Sequence, residues 1–257
     1  MITGMLFASA VFASGMGRWK DAGLYVLLGF VALVVLFLIF FAIVCLTEKQ
    51  YLSGDVESVS EPFPYPPLPY WHHTCANAVE IGLRRVGDYA TCKNTSKVRG
   101  LETLFLSEDG TILVTVVGAK SFLGKTKKTV LRTRLTNGTV LESSDSPISR
   151  DVTGVIQLGV LMNAGVLELT SYHLQRIKYA GSQPVAFRSG AEMAESEQIQ
   201  LERGQRLVDA GLARWVNAEQ TQIRMTLRGA MAMMKDLFVH GAKLQDQSSR
   251  MDIKRAG

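Results

Sequence analysis

Hydrophobic and polar positions follow different rhythms in different parts of this chain, and each rhythm predicts a different element. From Gly23 to Leu46 there is no rhythm at all: GLYVLLGFVALVVLFLIFFAIVCL contains no charged side chain. A helix rises ~1.5 Å per residue, so about 20 such residues cross the ~30 Å hydrocarbon layer of a bilayer. A buried helix of a globular core seldom stays apolar on every face for that long. Residues 23–46 are expected to form a single transmembrane helix. Residues 1–22 are expected to be an apolar tail; no positive patch precedes Arg18, as a signal peptide would require.

After the apolar run the pattern turns polar and then proline-rich. Thr47 to Glu61 carries Asp55, Glu57 and Glu61, and Pro62 to Pro69 holds five of the chain's seven prolines. Such a run favours polyproline II and acts as a stiff spacer. Residues 47–70 are expected to be a linker and stalk, and 71–240 an α+β domain followed by a flexible tail at 241–257.

Within the domain, Thr74 to Val86 has helical spacing. Thr74 is its expected cap, Val79, Leu83 and Val86 its apolar face, and Gly87 its stop. Period-two alternation follows. Leu101–Ser107 and Thr111–Gly118 flank Asp109-Gly110, and Thr129–Thr136 and Thr139–Ser143 flank Asn137-Gly138. Asp-Gly and Asn-Gly between β-branched runs predict hairpins, with both turn residues at positive φ. A four-stranded, largely antiparallel sheet is expected. Leu131, Thr133 and Leu135 lie on one face, and Arg132 and Arg134 make the other face basic. A long helix is expected from Gly154 to Lys178, with His173 alone on its later turns.

Charge and cysteine add little. The formal charge is +5, and residues 111–141 carry six basic side chains and no acidic one. Cys45 lies in the apolar run, which leaves Cys75 and Cys92 as the one pair able to meet across the domain. His72, His73, Cys75 and Cys92 lie close in sequence, but adjacent histidines point apart and no further i,i+3 or i,i+4 ligand pair follows the His72–Cys75 spacing. No metal and no cofactor is expected.

Ala119-Lys-Ser-Phe-Leu-Gly124-Lys125-Thr126 fits a relaxed phosphate-loop pattern after a hydrophobic strand. A phosphate loop opens a helix, whereas these residues run into β-branched positions and then Asn-Gly. The match is read as incidental. Nor is there a nucleophile elbow or an HExxH. No catalytic residue is assigned, and the domain is expected not to be an enzyme.

Residues 190–238 have their own pattern: a charged helix ending at Leu207-Val208-Asp209-Ala210-Gly211, a strand at Leu212–Val216, a turn at Asn217–Gln220, a strand at Thr221–Thr226, and a helix with Leu227, Met231, Met234 and Phe238 on one stripe. The order resembles the second half of a winged-helix domain. That resemblance implies DNA contact. The helix before the wing, however, carries Glu192, Glu195, Glu197, Glu202 and Asp209 against Arg203 and Arg206, and phosphate binding needs a positive face. The expected partners are the bilayer and another protein or a second copy, not nucleic acid. The methionines from Met225 to Met234 read as core filler. Arg18 and Lys20 outnumber Lys49 beside the apolar run, so the positive-inside rule puts the N-terminus inside and the domain outside the cytoplasm.

Overall fold

β-Branched and aliphatic runs build the middle of the fold, and everything else is laid over them. The computed structural model describes residues 24–33, 35–36, 38–40, 43–44, 46–47, 49–53, 56–64, 66–91, 99–121, 124–146, 151 and 153–235. The chain divides into two compact units, Met1–Glu48 and Lys49–Gly257.

In the first unit every described residue from 24 to 47 is helical, and nearly all their side chains are exposed. Residues 34, 37, 41, 42 and 45 lie outside the described residues, as do 1–23. No helix among the described residues is long and apolar enough to cross a membrane.

The second unit is α+β around a mixed sheet of eight strands. Seven follow one another in space in chain order: β2 (Val56–Val59), β3 (Arg84–Thr91), β4 (Arg99–Leu106), β5 (Leu113–Ser121), β6 (Gly124–Leu135), β7 (Val140–Ser144) and β8 (Ile156–Val160). All these neighbours are antiparallel except β7 and β8, which run parallel. The short β9 (Pro184–Val185) adds to β6. Helices α1 (Pro69–Glu80) and α2 (Val166–Tyr179) cover one face, where Trp71, Leu101, Phe105, Val114, Leu131 and Leu169 form the core. Helix α3 (Glu192–Asp209) covers the other, where Ile199 packs with Leu104, Leu113, Val140 and Ile156. A separate sheet of three strands has the order β1 (Gln50–Tyr51), β11 (Gln222–Met225), β10 (Ala213–Trp215).

Several expectations need correcting. The sheet has eight strands rather than four. The first helix begins at Pro69, where proline suits the first helical turn because its missing N–H is an orphan there anyway. Thr74 is buried in its middle rather than capping it. Gly82, at φ 86°, follows its end, and residues 84–91 are strand. The long helix expected over 154–178 is β8 followed by α2. Its first half is apolar nearly all round because β8 has a buried residue on each face, Ile156 on one and Gly159 on the other, a pattern that a buried helix can share. The hairpin turns have positive φ only at Gly110 and Gly138. Asp109 and Asn137 instead accept hydrogen bonds from the backbone N–H groups of Thr111 and Thr139.

The linker expected at 47–70 is partly built into the domain. β1 pairs with β11, β2 forms an edge of the large sheet, and the Phe63 ring stands edge-on to Trp71 at 5.4 Å. The Leu227–Met231 stripe also differs from expectation. Leu227 is 58% and Met231 59% exposed, while Ala230 faces inward. Gly229 sets this rotation, because a Cβ there would overlap the Leu212 carbonyl. Phe238 and the tail at 241–257 lie outside the described residues.

Candidate functional site

The α3 side of the large sheet holds a cleft of about 290 Å³, floored by strand side chains and walled by α3 and the segment joining β1 to β2. Strand register positions its floor. Glu102 on β4, Val117 on β5 and Lys128 on β6 stand in one cross-strand row. Leu113, Arg132 and Glu142 form a second row on β5, β6 and β7. From α3 come Met193, Ser196, Glu197, Gln200 and Arg203, and from the joining segment Leu52 and Ser53.

Among the described residues, four of the six charged side chains lining the cleft have a hydrogen-bond or ion-pair partner. Arg132 donates from Nε to Glu142 at 2.8 Å and from a terminal nitrogen to the Ser196 hydroxyl at 3.0 Å. Burial pushes the Glu142 carboxyl up, but Arg132 outweighs it and holds the group below the usual range. Arg203 donates to Asp151 at 3.1 Å, and Asp151 also accepts from Thr153 and from the Ile156 N–H. Burial alone would raise Asp151; these hydrogen bonds and Arg203 carry it down. Ser53 donates to Glu197 at 2.8 Å.

Glu102 and Lys128 stand apart. Among the described residues neither makes a hydrogen bond or an ion pair, and burial moves both toward neutrality, the carboxyl up and the ammonium down.

The basic strand face expected from the sequence is real but internal. Arg134 reaches Glu202 at 3.7 Å and Glu195 at 4.0 Å, Arg84 reaches Glu192 at 3.5 Å, and Arg188 reaches Glu195 at 2.5 Å. Arg132 and Arg134 are thus neutralised beneath α3, while Lys120, Lys125 and Lys127 further along the same strands stay exposed. The Arg132–Glu142 pair comes from a turn of three residues centred on Asn137, which sets Leu135 opposite Thr139; a two-residue Asn137-Gly138 turn would set Arg132 opposite Ser143 instead. The α3 partners were not readable, because no local signal says which helix covers which face.

On the opposite face His173 is fully buried. One ring nitrogen lies 2.8 Å from the Ser143 hydroxyl and the other 3.0 Å from the Thr133 hydroxyl. Burial, reinforced by the nearby Arg176, pushes its pKa down to about 3. Tyr70 donates to Asp145 at 2.7 Å, and burial first, then that carboxylate, pushes its phenol up to about 12. Cys75 is a buried free thiol, raised by desolvation to about 11. His72 and His73 are exposed, and Cys92 lies outside the described residues. No group of three or more potential metal ligands occurs among the described residues.

The phosphate-loop-like segment is a strand turn. Lys120 and Lys125 face each other across β5 and β6, as do Ala119 and Thr126, so no helix begins there; Phe122 and Leu123 lie outside the described residues.

No protein family matches this chain, and neither does any curated protein or solved structure.

Proposed function

We propose that the chain is a single-pass membrane protein whose α+β domain works by contact with another protein or a second copy of itself, without catalysis. The uncharged run 23–46 carries the anchoring half of this reading. It is supported by the exposure of the run's described apolar side chains, among them Leu24, Phe30, Leu33, Leu36 and Phe40. Exposed apolar area of that extent calls for lipid or a partner. The chain then enters the domain at β1, and the 62–69 segment runs within it from β2 to α1.

The non-catalytic half rests on chemical state. A general acid or base works best with a pKa near the operating pH, and a nucleophile needs its deprotonated form. Cys75 near 11, Tyr70 near 12 and His173 near 3 are each driven away from that range by packing. The excess of Arg18 and Lys20 over Lys49 places the domain on the extracytoplasmic side in this reading.

A second reading has a specific observation in its favour. Helix, strand, strand and helix follow in winged-helix order from 192 to 235, and β1 completes a three-stranded sheet beside them. With Glu192 and Glu195 buried, α3 is less acidic outside than its composition implies. Its exposed positions, Ala194, Gln198, Gln205, Arg206 and Asp209, still offer no positive stripe for phosphates.

Carbonate extraction of the full chain tests the anchor. Each charge at a helix centre costs ~2.5–3.5 kcal/mol on insertion scales, so Leu33→Asp with Leu36→Asp should move much of the protein out of the integral fraction. Persistence of the double variant in that fraction would sink the reading. Salt-dependent DNA binding by the full chain in lipid discs would favour the winged-helix alternative.

A further inference from the structure

The small sheet carries a row of like charges with no counter-charge among the described residues. Arg214 on β10 stands directly opposite Arg224 on β11. On the other side of β11, Gln50 pairs with Ile223, so the antiparallel register sets Lys49 beside Arg224. Like charges facing one another across strands are unfavourable. Here three lie side by side. Among the described residues none has an ion-pair partner, and the Arg224 Nε is buried without a hydrogen-bond acceptor.

The residues after β11 continue in the same character. From Thr221 to Lys235 the chain has Arg224, Arg228 and Lys235 and no acidic residue. The helix formed by 227–235 leaves Leu227, Arg228, Met231 and Lys235 exposed. Apolar side chains interleaved with cations on one helix are the composition of an interfacial, lipid-facing helix. Lys49 lies only three residues beyond Leu46, the end of the apolar run. The row therefore begins where the chain leaves that run.

We propose that Lys49, Arg214, Arg224 and Arg228, with Leu227 and Met231, form an interfacial surface that docks on the phosphate-bearing headgroups of the anionic bilayer anchoring residues 23–46. This rests on the membrane reading above. Cations beside a membrane exit draw anionic headgroups at short range, and the two apolar side chains enter the boundary between headgroups and acyl chains. Glu219, the nearby acid at the tip between β10 and β11, accepts from Asn217 and is thereby held.

The test places a photoactivatable diazirine amino acid at position 33, 108 or 231 of the full chain in vesicles of phosphatidylglycerol and phosphatidylcholine. Adducts are identified by mass. Lipid adducts are expected at 33 and 231 but not at 108, an exposed position in the β4–β5 turn. Arg214→Gln with Arg228→Gln should lower the yield at 231 several-fold and leave that at 33 unchanged. A lipid adduct at 33 with none at 231, or equal yields at 108 and 231, overturns this inference alone. So does a protein adduct at 231, either to a second copy or to residues 236–257. Absence of a lipid adduct at 33 overturns the anchor, and this surface with it.

Discussion

Arg132 and Glu142 face each other across β6 and β7, joined at 2.8 Å with only 13% and 6% of their side chains exposed. Removing one member of such a pair strands the other charge, at a cost of about 3–5 kcal/mol, whereas apolar replacement of both is far milder. Arg132→Met and Glu142→Leu should each lower stability by roughly that amount, and the double variant by less than either. Urea unfolding in a fixed detergent measures all three. A double variant as unstable as the sum of the singles would show that the pair does not act as a unit.

His173 makes stability depend on pH through a different window. Its folded pKa, about 3, lies below its ordinary value of 6.5, so between those limits the unfolded chain binds more protons. Stability contributed by the neutral ring is therefore complete above pH ~6.5 and declines by up to about 1.4 kcal/mol per unit as pH falls. The Tm should drop from pH 7 to 5 in the parent and less steeply in His173→Gln, which keeps hydrogen-bonding capacity but cannot titrate. Parallel Tm curves would refute this assignment. The Glu142 contribution is a carboxylate effect lost below pH ~4.5, outside that range.

A fragment beginning at Tyr70 should behave worse than one beginning at Lys49. The shorter piece loses β1 and β2, leaves β3 as an open edge, and strips Phe63 from Trp71. Residues 49–257 should be monodisperse with one cooperative transition, and 70–257 should aggregate or melt at lower temperature. Equal behaviour in size-exclusion chromatography and calorimetry would mean that these strands are dispensable.

Thiol chemistry at Cys75 should fail from either side of the membrane. The side chain is buried, and with a pKa near 11 only about one thiol in ten thousand is ionised at neutral pH. Glu108→Cys, in the exposed β4–β5 turn, is the better topology probe. An impermeant maleimide should label it on intact cells. Labelling only after the membrane is opened would place the domain in the cytoplasm.

Turn chemistry was the most legible part of the chain: Asp109-Gly110 and Asn137-Gly138 sit between the strands they were expected to join. Period was legible only where one face is polar, here a face that α3 covers. Leu131, Thr133 and Leu135 alternate with Arg132 and Arg134 as expected, but 155–161, with Gln157 as its one polar residue, gave no period to distinguish strand from helix. β2 escaped notice because it is four residues long, with Glu57 and Ser58 exposed at the edge. In the cleft, Arg132 and Glu142 lie on the two strands of one hairpin, but a two-residue Asn137-Gly138 turn would have set Arg132 opposite Ser143, one place out of register. Ser196, Glu197 and Arg203 depend on how α3 crosses the sheet, which no neighbouring residue specifies.

Because Lys49 enters the domain through β1, any tension travelling along the backbone from the N-terminal side arrives first at a very small element. Two residue pairs, Gln50 with Ile223 and Tyr51 with Gln222, and the bond from the Leu52 N–H to the Thr221 carbonyl hold that strand. Only four residues further on, β2 is stitched to β3 by four pairs in the other sheet. The weaker seam lies upstream of the stronger one. Under load β1 should peel away before the eight-stranded sheet is disturbed, giving the molecule a mechanical fuse at its point of attachment.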